Sequence, residues 1–160
     1  MKQDNFSRLM RLADEFFSAK NDPNQLDVNE AVMAQLHAVH PACMGEYHNE
    51  NGPAAWSIVI PVTRSVMELF LACQLSEKEL FERTLREKEF SALYLCSALV
   101  LPEFRRKGII KNLVLSSLRE IQKTYRIQEL CCWAFSSEGK QLAEKIAGEA
   151  RLPIYFRPEK

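Results

Sequence analysis

The chain carries no excess charge of either sign: 21 basic residues are offset by 21 acidic ones. A general nucleic-acid binder is normally basic overall, so no nucleic-acid partner is expected, and any cationic cluster is a local feature. Nor is there a continuous apolar run of the kind found in a secretory signal or a membrane span, the opening MKQDNFSRLMRLADEF included. No membrane partner is expected. A C-x-x-C pair is missing, and so is any His/Cys zinc spacing, although five cysteines are present. Their apolar settings (LACQL, LYLCSALV, ELCCWAF) read as buried reduced thiols, which belong to a reducing compartment. The expectation is a cytoplasmic protein with no metal, since His37, His40, Cys43 and His48 lack a recognised ligand spacing. Internal repeats, low-complexity tracts and linkers are absent too, and 160 residues are most simply one domain, 1–160.

What is present is a succession of readable elements. Phe6, Leu9, Met10, Ala13, Phe16 and Phe17 recur at three and four, which predicts a helix over 5–20 that NDPN at 21–24 breaks. Val28, Val32, Leu36 and Val39 form one stripe of a second helix over 26–39. Asn51-Gly52 is a hairpin-turn signal ahead of the β-branched run 56–62. Thr63 then caps a short apolar helix, and Ser76 with Glu79 makes a capping box for the next. Residues 90–101 are apolar on both faces, as a buried central strand should be, and Pro102 ends them. A helix over about 108–124, a buried strand over 126–135, a helix over 136–148 and a terminal strand over 151–158 complete the chain. This is an α/β pattern with a parallel pair of strands at its centre.

The central crossover carries Arg105, Arg106 and Lys107 at the start of its helix. A helix N-terminus is already partly positive, so cations there are unfavourable unless an anion joins them. Backbone N–H groups at such a strand–turn–helix junction converge on one spot and hold phosphate oxygens. Gly108 is where the backbone comes close to a ligand or takes a positive φ. The Walker pattern and the dinucleotide pattern G-x-G-x-x-G are both absent, so neither standard nucleotide loop explains the turn.

VLPEFRRKGII, with Arg105-x-x-Gly108-x-Ile110, resembles motif A of the GNAT acetyltransferases, [Q/R]-x-x-G-x-[G/A]. The resemblance extends over roughly 90–157. It implies a mixed twisted sheet with splayed central parallel strands, helices on both faces, and acetyl-CoA as co-substrate. Residues 89–160 would be the CoA-binding half and 1–88 a divergent acceptor-side half of helices and hairpin. The turn holds the pyrophosphate in that family, which carries over to Arg105, Arg106, Lys107, Gly108, Ile109 and Ile110. The preceding strand binds the pantetheine arm near Leu99, Val100 and Leu101, and the N–H near Val100 stabilises the oxyanion. Ser136 stands where the family often has asparagine. Three departures accompany these matches: Ile110 replaces a small residue, Ala143 stands where a tyrosine often serves as acid, and helical sequence occupies 63–86 where many relatives have more sheet.

The implied activity is N-acyl transfer, most simply acetyl transfer, by direct attack of a small-molecule or peptide amine. The alternative is a catalytically weak or inactive module acting through CoA sensing or a protein partner; a homodimer stays open. Tyr94 lies where some relatives carry a catalytic glutamate, and it either packs, positions substrate or protonates the leaving thiolate. Glu46 and His48 could reach the cleft from the hairpin, whereas His37 and His40 are expected in solvent. Cys96 and Cys132 read as core thiols rather than acyl carriers, and Trp133 and Phe135 as packing residues.

Overall fold

The structure, a computed structural model, describes residues 4–17 and 25–158. A mixed five-stranded sheet runs in chain order, β1 (Met44–Asn49), β2 (Gly52–Val62), β3 (Ala92–Val100), β4 (Glu129–Cys132) and β5 (Ile154–Phe156). β1, β2 and β3 are antiparallel, whereas β3, β4 and β5 are parallel. Among the described residues six helices accompany them: α1 (Asn5–Phe17), α2 (Glu30–Val39), α3 (Arg64–Leu71), α4 (Glu77–Thr84), α5 (Ile109–Gln122) and α6 (Ser137–Ala150). None is long and apolar enough to cross a membrane. The expected α/β class is thus borne out.

Local chemistry sets most boundaries. Thr63 accepts the Val66 N–H at the start of α3, and Ser76 with Glu79 forms the expected capping box of α4. Past the end of α3, Cys73 takes a left-handed φ of 61°, its N–H bonded to Phe70 O and that of Gln74 to Leu69 O. That is a Schellman stop with cysteine where glycine is usual. The β1–β2 hairpin turns through Glu50 and Asn51, and Gly52 follows at φ 108°.

Several expectations are corrected. The second helix starts at Glu30, not 26, because the Asn29 side chain caps it by accepting the Val32 N–H. Leu26 is buried instead, its N–H held by Glu77. The first helix is described over Asn5–Phe17, and the rest of its expected span, 18–20, with the expected break at 21–24, lies outside the described residues. The strand expected over 126–135 pairs only from Glu129 to Cys132. His40 is half-buried rather than in solvent: Nδ1 accepts the Ala42 N–H, and Nε2 lies 3.2 Å from Thr124 Oγ1.

β2, β3 and β4 form the middle of the core, with Ile60, Leu93, Tyr94 and Leu130 fully buried. α5 covers the sheet face bearing Gly45, whose added Cβ would sit 2.8 Å from Ser57 Oγ and 3.5 Å from Leu113. α1 lies against Ala54, Trp56, Leu99 and Leu101.

Candidate functional site

β3 and β4 pair from Ala92–Glu129 to Leu95–Cys132 and then part. The β2–β3 register shifts at the same level. Ile58 pairs with Ser97 and Val59 with Leu95, so Cys96 is an extra residue, a bulge that bends β3. Beyond it β3 continues to Val100 paired to β2 alone, while β4 stops at Cys132. The second half of β3 thus has a ladder partner on one side only.

From the end of β3 the chain makes a one-turn 3-10 segment, Pro102–Phe104, and enters the basic turn. Arg106 has φ 63° and Gly108 φ 74°, so two left-handed residues fold the backbone back before α5. A left-handed arginine costs about 1–2 kcal/mol, the kind of local strain that functional loops retain. Gly108 is the N-cap of α5, which has no side-chain cap and no acidic residue in its first turn. Its leading N–H groups therefore face outward beside exposed Arg105, Arg106 and Lys107. Lys107 Nζ also lies 5.5 Å from the centre of the Phe104 ring. An added Cβ on Gly108 would meet nothing within 4 Å, so the space beside that residue is open. Arg8 anchors the approach by bonding Glu103 at 2.7 Å, which holds that carboxyl down to about 2.

Under the bulge lies a buried polar knot. Glu77, first residue of α4, is only 5% exposed. Its Oε1 accepts the Leu26 N–H at 2.6 Å, and its Oε2 accepts the Tyr94 hydroxyl at 2.6 Å and the Cys96 thiol at 3.7 Å. Burial pushes the Glu77 carboxyl above the ordinary glutamate value, opposed by these three donors and by the Arg157 cation. Arg157 is itself buried between Phe70 and Trp133, 4.4 and 4.6 Å from the ring centres, and donates to Leu75 O at 2.7 Å. Tyr94 and Cys96 are both pushed well up by burial and then by the Glu77 charge, so each keeps its proton.

Glu77 also lines a cavity of about 540 Å³. Met44, Trp56 and Ile58 of the hairpin, with Leu9 and Ala13 of α1, give it apolar walls. Cys96, Ser97 and Phe135 extend the lining to the place where the strands part.

The expected site residues divide accordingly. Arg105, Arg106, Lys107, Gly108, Ile109 and Ile110 form one turn, and Leu99, Val100 and Leu101 lead into it. Ile110 is 8% exposed, its side chain in the core. Ser136 caps α6, its Oγ accepting the Gly139 N–H at 3.0 Å. Tyr94 is sealed behind Glu77 and does not line the cavity, and Ala143 is buried in α6. Glu46 is exposed, bonds His48 at 2.7 Å and does reach the cavity wall. His37 is exposed on α2. Cys96 and Cys132 are buried as expected, and Cys132 is pushed up to about 12. Among the described residues no three His, Cys, Asp or Glu side chains gather as a metal site would need.

Glu77 and Arg157 were missed by reading the sequence. Glu77 had a signal, because it completes the buried stripe of Leu80, Phe81 and Thr84 at helical spacing. A carboxylate in an apolar stripe is buried only where partners wait for it. No protein-family model matches the chain, and no curated protein matches it in sequence.

Proposed function

We propose that the chain is an acyl-CoA-dependent N-acyltransferase of the GNAT kind, most simply an acetyltransferase. One observation carries the reading: an uncapped, cation-flanked helix N-terminus follows directly on a central strand that parts from its parallel neighbour. The turn would hold the CoA pyrophosphate by backbone N–H groups, with Arg105, Arg106 and Lys107 adding charge. The unpaired edge of β3 beyond Leu95 would take the pantetheine arm as an added strand. The N–H near Val100 remains the proposed oxyanion donor.

Glu77 replaces Tyr94 at the head of the proton path. An amine nucleophile must lose a proton first, and a base works best with a pKa near the working pH. Burial moves the Glu77 carboxyl upward in that direction, and the residue lines the cavity. Three donors occupy Glu77, and a carboxylate has roughly four acceptor positions, so one stays open. Tyr94 is a positioning residue that fixes the carboxylate.

The test is a thermal-shift titration with acetyl-CoA and with CoA, followed by thiol release in the presence of an amine mixture. A saturable rise with both ligands and amine-dependent thiol release is the expected result. Absence of any shift refutes the CoA site; a shift without transfer leaves a CoA-binding module. The rate should rise with pH through the raised Glu77 carboxyl, and Glu77→Gln should abolish that limb while CoA still binds.

A further inference from the structure

The acyl-transfer reading leaves the acceptor open, and the cavity narrows it. Its volume, about 540 Å³, suits a small molecule. α1, the 25–29 segment, α2 and the β1–β2 hairpin all contribute walls, which favours an enclosed ligand over a side chain on a folded protein. The walls are mostly apolar, and exposed Phe6, Met10 and Phe135 carry that surface outward. Trp56 belongs to the same lining, and its buried indole N–H has no hydrogen-bond partner among the described residues, an orphan that calls for an explanation.

Charge decides the rest. Asp14, Asp27, Glu30, Glu46 and Glu77 all border the cavity, and no lysine, arginine or histidine does among the described residues. Four of these acids are exposed and only set the sign of the field; Glu77 is buried and supplies a point of contact. The groups facing Glu77 are Tyr94 and Cys96 from β3, Cys132 from β4 and Arg157 beyond β5.

Resting on the acyl-transfer reading, we propose that this cavity takes a small amine borne on an apolar body, entering as its ammonium ion with nitrogen toward Glu77. Glu77 removes one proton, and the neutral nitrogen attacks the thioester carbonyl carbon. The C–N bond forms, the C–S bond breaks, and the second nitrogen proton goes to the departing thiolate. The products are the amide and CoA thiol, and the proton on Glu77 returns to water. A polar amine gains nothing from the walls, and an acidic one is repelled at every side.

Three probes of one shape separate body from charge: phenethylamine, phenethyl alcohol and hydrocinnamate. In binding assays without CoA, phenethylamine should bind roughly tenfold or more tighter than the other two, the factor that a hydrogen bond to a charged group supplies. Asp27→Lys, on an exposed loop residue, should weaken phenethylamine and not the alcohol. With acetyl-CoA, phenethylamine should exceed ethanolamine and a lysine peptide in kcat/KM. Equal binding of all three probes, or preference for ethanolamine or the peptide, overturns the assignment. Selective phenethylamine binding with no transfer to any amine upholds the cavity and refutes the acyl-transfer reading alone.

Discussion

Removing one oxygen atom tests the buried knot. Tyr94 is fully buried, and its hydroxyl is 2.6 Å from Glu77 Oε2. Tyr94→Phe keeps the ring against Phe70, 4.9 Å between centres, and takes away only that donor. Oε2 is then left with the Cys96 thiol at 3.7 Å, a weak donor. A buried acceptor stripped of its partner costs about 1–3 kcal/mol, with charged groups at the upper end. About 2–3 kcal/mol in a chain of this size lowers Tm by about 4–12 °C. The pH dependence gives a sharper reading. Because burial places the folded carboxyl above its ordinary value of 4.5, the penalty for ionising it is absent below that pH. The penalty grows as pH rises through 4.5 and is complete once pH passes the folded value. The Tyr94 hydrogen bond lowers that folded value, so its loss raises it further and extends the penalty to higher pH. The wild-type and variant melting curves should therefore differ more at about pH 8 than at about pH 5. Equal differences at both, or no loss at all, would refute an ionisable Glu77 supported by Tyr94.

The remaining expectations concern the turn and the thiols. Arg106→Gly removes a left-handed arginine, so the apo protein should melt no lower than wild type, while CoA affinity falls by roughly tenfold; lower apo stability with normal CoA affinity would make the cation structural. Gly108→Ala places a Cβ in open space at φ 74°, so the expected loss is backbone strain of about 1–2 kcal/mol, seen as a lower apo Tm. An unchanged Tm would mean that the turn relaxes. Alkylation of the native protein with iodoacetamide, read by mass spectrometry, should modify Cys73 first, because it alone among the five cysteines is partly exposed. Burial pushes Cys43 and Cys132 up to about 12, and early modification of either would contradict that.

The elements that the sequence determined by itself are those whose causes lie within a few residues. Thr63 reaches Val66 and Ser76 reaches Glu79, each three positions away. The doubly apolar run of β3, the stop at Pro102 and the turn into α5 follow from spacing of the same order, as does the left-handed Gly108. What only the tertiary structure decided depends on partners far along the chain. Glu77 reads locally as an ordinary acid in the first turn of a helix, a place that suits it in water. It is buried because Leu26, 51 residues away, and Tyr94, 17 away, bring donors to its two oxygens. His40 is drawn from solvent by Thr124, 84 residues distant. The Cys96 bulge is a mismatch between β3 and a partner strand some forty residues earlier in the chain, and the β3–β4 pairing ends beside it at Leu95 and Cys132. A cap or a hydrophobic stripe acts within one turn of helix. A buried charge needs its desolvation offset by groups that only the packed chain brings together.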